Sequence, residues 1–347
     1  VQSAPFPTAS FQLATSPAQL SFPKDFGAHN AYQTEWWYYT GNLDTASGQH
    51  FGYEFTIFRR ALTPASHASS SSQWQSNQVY FAHFTVSDIA QAAFYPTERF
   101  SRGAVGLAGA EANPYRIWIE DWSIAETHPG EVHLLAQTPQ TSIDLTLTQT
   151  LPPILQGDRG YSQKGPEPGN ASYYYSQVQQ PTQGTVRVGE TQFQVTGNSW
   201  TDHEYSTSAL SKGTQGWDWF SLQFQNGSAL MLYGLRQQNG TIAPESSGTF
   251  ITTDGKTQRL VQGDWQTEVL KTWKSPTTGA EYPTRWKIQV PKLALELTVE
   301  PYIPNQELNL STIYWEGAVQ ISGQQDQKAL KGSGYVELTG YERSLQL

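Results

Sequence analysis

The sequence predicts an all-β chain made of two related sheets or barrels, and three observations carry that expectation. Apolar and polar residues alternate with period two through most of the chain, and turn residues separate the alternating runs. One strand–turn–strand unit also recurs in the two halves. Helical periodicity is weak throughout, and 347 residues suit two domains that each bury a core.

In chain order, the segment Val1–Pro23 is rich in Ser, Ala, Pro and Gln and lacks the apolar centre of a signal peptide. The start at Val1 rather than Met is expected of a trimmed chain. Strands are predicted over Thr34–Leu43, Phe51–Arg60, Gln78–Asp88, Tyr115–Ile124 and Ser142–Leu151 in a first block. The stretch Thr63–Ser76 is small and polar and reads as a flexible surface loop. Gly157–Thr185 is dense in Gly, Pro and Gln around three consecutive tyrosines and marks the expected domain boundary, giving domains 1–182 and 183–347. The second block holds strands over Gln192–Gly197, Trp217–Phe224, Ala229–Arg236, Thr284–Val290, Leu293–Glu300, Tyr314–Ile321 and Gly334–Leu338. Asn226-Gly227 is the clearest hairpin turn.

The repeat lays Glu35–Leu43 over Gly216–Phe224 without a gap, and in each half the next strand ends in Arg, at Arg59 and Arg236. Both matched strands are bulky on both faces. One face would line a barrel and the other would pack against the partner domain.

Composition narrows the function. Lys and Arg total 21 against 30 Asp and Glu, so a nucleic-acid partner is not expected. Cysteine is absent, which removes thiolate metal sites and cysteine nucleophiles. No run approaches the roughly 18 apolar residues of a membrane span. The expectation is a soluble chain whose compartment (secreted, periplasmic or cytoplasmic) is not written in it. Gly197–Thr201 lacks the second glycine of a nucleophile elbow. HExxH, Walker and Rossmann patterns are missing, and the seven histidines show no metal-ligand spacing. No metal or cofactor is expected.

Four clusters remain as candidates for chemistry. Asp202-His203-Glu204 lies between Trp200 and Tyr205. On an extended chain Asp202 and Glu204 share a face and His203 takes the other. Two carboxyls beside an imidazole can split into proton donor and acceptor, or they can form a solvated turn. Asp218, set among Trp217, Trp219 and Phe220, is either a protonated acid or a buried partner of Arg or backbone. Glu35–Tyr39 reads first as barrel core. His83 and Asp88 belong to the fourth cluster, Tyr80–Asp88, where a satisfied core histidine and a turn-forming aspartate are the bland alternatives. Asp121, between Glu120 and Trp122, is a weaker candidate of the same kind. Carboxyls among ring faces suit an apolar pocket that stabilises cations.

Several strings carry a family resemblance: TEWWYYTGNL (34–43), FGYEFTIFRR (51–60), YFAHFTVSD (80–88), KGPEPGNASYYYS (164–176), SWTDHEYSTS (199–208), GWDWFSLQ (216–223), YWEGAV (314–319) and GYVELTGY (334–341). From about residue 21 to 341 the chain resembles the lipocalin-like family of carotenoid 1,2-hydratases and AttH-type proteins, which also includes lipocalin-like terpene cyclases. The resemblance implies two lipocalin-like β domains with a hydrophobic pocket in or between them. It also implies protonation of a terminal isoprenoid alkene, followed by cyclisation or by hydration.

The hydratase pattern of His-x-Trp followed by Tyr-x-Asp falls on His203-Glu204-Tyr205 and Tyr233-Gly234-Leu235. Leu235 stands where the donor aspartate is expected, which moves the acid role to Asp202, Asp218, Asp88 or Asp121, with His203 or Glu204 tuning it. Cyclisation is therefore placed ahead of hydration. The expected pocket lining is Trp36, Tyr38, His83, Tyr174, Trp217, Trp219 and Tyr233, and the expected partner is a hydrophobic isoprenoid small molecule. The competing expectations are a lipid or pigment carrier without chemistry and a secreted hydrolase.

Overall fold

The computed structural model describes residues 10–64, 76–207 and 210–344. Most of the loop expected over Thr63–Ser76 lies outside these residues. The first sheet contains β1 (Thr34–Asp44), β2 (His50–Ala61), β3 (Gln78–Asp88), β4 (Ala93–Arg102), β5 (Ala108–Ala112), β6 (Tyr115–Ile119) and β7 (Trp122–His128). It continues with β8 (Glu131–Gln137), β9 (Thr141–Thr148), β10 (Ile154–Leu155), β11 (Tyr161–Gln163), β12 (Ala171–Val188) and β13 (Thr191–Ser206). The second sheet contains β14 (Thr214–Phe224), β15 (Ala229–Gln237), β16 (Ser247–Ile251), β17 (Thr257–Val261) and β18 (Gln266–Lys274). It is completed by β19 (Glu281–Val290), β20 (Leu295–Pro301), β21 (Glu307–Asn309), β22 (Ile313–Gln325) and β23 (Lys328–Leu338).

The first sheet runs β4-β3-β2-β1-β13-β12-β9-β8-β7-β6-β5, and the second runs β17-β16-β15-β14-β23-β22-β20-β19-β18. Aligned on β1 and β14, the two orders coincide strand for strand until the first sheet adds β6 and β5. Registers coincide as well: Glu35 pairs with Arg59, and Gly216 with Arg236. The chain is all-β and folds as two lipocalin-like barrels. Among the described residues no helix is long and apolar enough to cross a membrane.

The sheets correct several expected boundaries. Gln192–Gly197 belongs to the first sheet, which ends at Ser206, so the change of sheet falls between Ser206 and Thr214 rather than at residue 182. The Gly- and Pro-rich stretch misled because its tyrosines sit in β12, an 18-residue strand central to the first sheet. Tyr115–Ile124 is two strands joined by a tight turn in which Glu120 has φ 56°. Strands β17 and β18 carry too many exposed positions to stand out by alternation.

Alternation places Trp37 and Tyr39 of β1, Phe55 and Ile57 of β2, and Leu134 and Leu145 inside the first barrel. Phe220, Leu222, Trp286 and Val336 fill the second. Each such side chain contributes about 1.5–3 kcal/mol of burial. The outer faces of β1, β2, β12 and β13 meet those of β14, β15, β22 and β23 in a third apolar cluster, which holds Tyr38, Tyr174, Trp200, Trp219, Met231 and Tyr335. Gly52 permits this close approach, because a Cβ there would stand 2.6 Å from Ala318 Cβ and 2.8 Å from the Tyr335 hydroxyl. The doubly bulky strands thus bury one face in a barrel and the other between the barrels.

Candidate active site between the two barrels

Between the barrels lies a cavity of about 260 Å³. Trp36, Tyr38, Phe58, Phe81, His83, Tyr174, Trp217, Trp219, Tyr233 and Tyr314 supply its ring faces. Asp202, Glu204, Glu337 and Lys164 supply its charged groups, with Arg60 at an exposed position. All seven expected lining residues are present.

Asp202 and Glu337 occupy matching places in the two repeats. Asp202 faces Tyr38 across β13 and β1, and Glu337 faces Trp219 across β23 and β14. Tyr38 and Trp219 are themselves superposed by the sequence repeat. Burial pushes both carboxyls up to about 7, with Glu204 adding repulsion to each. Their hydrogen bonds differ. Asp202 accepts from Trp200 Nε1 at 2.7 Å, from Tyr174 OH at 2.6 Å and from Ser176 Oγ, so both of its oxygens are occupied. Glu337 accepts only from Trp217 Nε1, at 2.6 Å on Oε1. Its Oε2 makes no hydrogen bond among the described residues, and Glu337 lines the cavity.

Two further acids stand behind the lining. Tyr38 OH donates to Glu316 Oε1 at 2.6 Å, and Thr56 Oγ1 to Glu54 Oε1 at 2.6 Å. Burial raises Glu54 to about 8. Burial, with the charges of Glu337 and Glu54, raises Glu316 well above the carboxylate range. Lysine 164 is the cation that tempers the cavity. Its Nζ lies 3.0 Å from Glu204 Oε1 and 4.3 Å from the Tyr233 ring centre. Burial opposes its charge most strongly, but Glu204, Tyr233 and Asp202 together outweigh burial and raise the ammonium pKa above its ordinary value.

The other sequence candidates lie elsewhere. His203 points away from Asp202 and Glu204, as the pleat requires, into the end of the first barrel. There its Nε2 lies 2.8 Å from Glu35 Oε1, and its Nδ1 lies 2.8 Å from Tyr175 OH. The same Glu35 oxygen lies 2.7 Å from His29 Nδ1, Arg59 Nε donates to Glu35 Oε2 at 2.8 Å, and His29 Nε2 reaches Asp25 at 2.9 Å. Burial disfavours charge on Glu35, yet the His203 and His29 bonds and the Arg59 guanidinium outweigh it and hold the carboxyl well below its ordinary range. Glu35 is therefore the anion of an ion network, not plain barrel core.

The ligand atoms of His29, Glu35 and His203 lie within 4.8 Å of one another, a grouping that sequence spacing did not reveal. Ligands of one tetrahedral zinc at bond lengths near 2.0–2.1 Å stand roughly 3.3 Å apart. The 2.7 and 2.8 Å contacts to a single Glu35 oxygen are hydrogen-bond lengths, shorter than that spacing.

Asp218 also faces away from the cavity. It accepts from Arg236 Nε at 2.8 Å and Tyr341 OH at 3.0 Å, which makes it a partner of arginine rather than a free acid. Asp88 ends β3 and accepts from Gln49 Nε2 and Gln91 N, both at 3.3 Å. Asp121 sits exposed in the β6–β7 turn beside Arg99 and Gln137, and the Gln137 bond comes first among the contacts that lower its pKa. None of the three lines the cavity.

Sequence reading missed Glu337, Glu54, Glu316 and Lys164. The repeat itself held a signal for Glu337: extending it to the neighbouring strands places Glu337 of GYVELTGY where SWTDHEYSTS has Asp202.

A two-barrel protein with an acid-bearing, ring-lined cavity between its barrels is the class that this geometry defines. The AttH-like family profile matches residues 13–341, and the chain belongs to that family. A putative AttH structure from Nitrosomonas europaea is 30% identical, with TM-score 0.84 over 95% of this chain and 100% of that one. Kievitone hydratase from Nectria haematococca shares the fold at 14% identity and TM-score 0.71, covering 98% of this chain and 99% of that one. Among curated proteins, the dehydratase asqC of Emericella nidulans is 24% identical over 211 residues, and the match spans 58% of each chain. The chain thus aligns with little more than half of that relative's length.

Proposed function

We propose that the cavity catalyses acid-initiated chemistry on an isoprenoid alkene, with Glu337 as proton donor and Asp202 as its base. One observation carries this reading. Glu337 is a carboxylic acid whose pKa is pushed up to about 7, so that a large share keeps its proton near neutral pH, with one oxygen unpartnered among the described residues, in a chamber of ring faces. A neutral carboxyl with a free O–H can protonate an alkene carbon, and the surrounding rings stabilise the cation that results. Asp202, ringed by three donors, is the better anion of the pair.

In the leading reaction Glu337 gives its proton to the terminal alkene, and the polyene closes on the cation. Asp202 then removes a proton from the adjacent carbon, so the product is an isomer of the substrate. Passing that proton back to Glu337 resets the site. The ring faces, which can shield the cation, support closure. A second reading, water added to the cation with Asp202 taking the water's proton, or the reverse dehydration, draws support from the dehydratase relative. The cavity volume is at the low end for small-molecule sites, which supports a short isoprenoid over a full-length carotenoid.

The test is mass spectrometry after incubating the protein with linear isoprenoids and prenylated aromatics. A product of unchanged mass and altered retention supports cyclisation, and a gain or loss of one water supports the second reading. A compound that stays bound and unaltered would leave a carrier and sink the catalytic reading.

A further inference from the structure

The cavity has unlike ends. Phe58, Phe81 and Tyr314 make one part of its wall apolar, whereas Lys164, Glu204, Ser172 and Asn170 meet at another part. Lys164 enters from the loop between β11 and β12, which is fastened by its backbone N–H to Asn170 O at 2.9 Å. The Lys164–Glu204 ion pair has its carboxylate buried and its ammonium half-buried, and each member holds unused capacity. Glu204 Oε1 takes both Ser172 Oγ and Lys164 Nζ, whereas Glu204 Oε2 has no partner among the described residues. The ammonium carries three donors, and Glu204 Oε1 uses one of them. Asn170, buried at the same end, has an unpartnered Oδ1.

We propose that the Lys164–Glu204 pair is a recognition site for a hydroxyl group, so that the substrate is an isoprenoid with a neutral hydroxylated head. The proposal rests on the reading of this cavity as an isoprenoid site. A hydroxyl accepts from Lys164 Nζ and donates to Glu204 Oε2, which satisfies donor and acceptor together. A carboxylate head would meet the Glu204 charge, and a bare hydrocarbon would cover the ion pair and leave it unsolvated. A phosphorylated head would need more cations than Lys164 and the exposed Arg60 supply. With the head at this ion pair, the chain reaches toward Phe58, Phe81 and Tyr314 and passes the ring faces that flank Glu337.

Binding of farnesol, its methyl ether, farnesoic acid and farnesene, followed through the fluorescence of the cavity tryptophans, tests this without any turnover. The wild-type protein is expected to bind farnesol tightest. Lys164→Met should weaken farnesol by roughly ten- to a hundredfold, the loss expected for a charge-assisted hydrogen bond, and leave farnesene nearly unchanged. Glu204→Gln keeps an acceptor and serves as the milder second variant, expected to narrow the gap between farnesol and its ether. Equal binding of farnesol and farnesene by the wild type would overturn the proposal, as would a Lys164→Met loss shared by all four probes. If the proposed chemistry failed while the farnesol preference held, only the catalytic reading would fall.

Discussion

The two faces of the strand pair β1–β13 carry carboxyls in opposite states. On the barrel side Glu35 meets Arg59, His29 and His203 and is held as an anion. On the cavity side, one residue away on β13, Asp202 meets hydroxyls, an indole and a second carboxyl, and burial lifts it to about 7. Both are almost wholly buried. The difference lies in the neighbours: a cation in contact overrides the cost of burying charge, and neutral donors alone do not. The second repeat qualifies the point: Asp218 is paired with Arg236 on its barrel side, yet burial still raises its carboxyl above the ordinary range, so one part-exposed arginine does not do what Arg59, His29 and His203 do together for Glu35. In the cavity the half-buried cation, Lys164, is paired with Glu204, and Asp202 and Glu337 carry no ion pair among the described residues.

The largest effect expected from this contrast is on the cavity side. Glu337→Gln keeps the Trp217 hydrogen bond but removes the acidic proton, so turnover should fall by roughly a hundred- to ten-thousandfold with the fold intact. Asp202→Asn should cost less, since the cation still forms and only its deprotonation is slowed. Steady-state rates on whichever isoprenoid turns over, with circular dichroism as the control, check both. Near-normal turnover in Glu337→Gln would place the donor elsewhere.

On the barrel side the expected loss is of stability, not rate. Arg59→Met leaves Glu35 buried without its permanent cation, which costs about 3–5 kcal/mol for a broken buried pair. A urea melt should show that loss, while turnover per folded molecule stays close to wild type. A rate loss exceeding the unfolded fraction would tie the two faces together.

The fold was legible because alternation and the repeat are local signals, and each strand of the matched units carries bulky residues on both faces. The site was legible only in part. The Asp202–Glu204 alternation followed from strand geometry, and the rings followed from the aromatic runs and the family resemblance. What decided the chemistry was long-range. That Glu337 shares a cavity with Asp202, that Lys164 leans onto Glu204, and that Arg236 claims Asp218 depend on strands far apart in sequence. Proximity in sequence even misled, since His203 sits between the two cavity residues and serves the other face.

The two faces also predict opposite responses to pH. Asp202 and Glu337 have raised pKa values, so the native state binds more protons than the unfolded chain between about 4 and 7. Their contribution to stability is full below that window and is lost as pH rises through it. Glu35, lowered from 4.5, contributes above its unfolded value and loses that contribution as pH falls. Denaturation midpoints across pH should therefore lose their neutral-side slope in Asp202→Asn combined with Glu337→Gln. The acid-side slope should weaken in Glu35→Gln. Turnover should decline as pH rises past about 7, because the donor must hold its proton. A rate that rose through that range would contradict a carboxylic acid as donor.

The smallest effect belongs to Asp121, and it separates sequence appearance from site geometry. Flanked by Glu120 and Trp122, it looks like Asp218 or Asp202 in the sequence. In the fold it is a half-exposed turn residue paired with Arg99 and Gln137, and its carboxyl is lowered rather than raised. An exposed pair of this kind contributes about 0–1 kcal/mol, so Asp121→Ala should shift the denaturation midpoint little. Because Asp121 does not line the cavity, the same variant should leave turnover and its pH profile unchanged. Asp121 thus serves as the control for the cavity acids. A rate loss at Asp121 as large as that at Asp202 would mean that carboxyls matter here through overall charge, and the distinction between matched and unmatched acids would collapse.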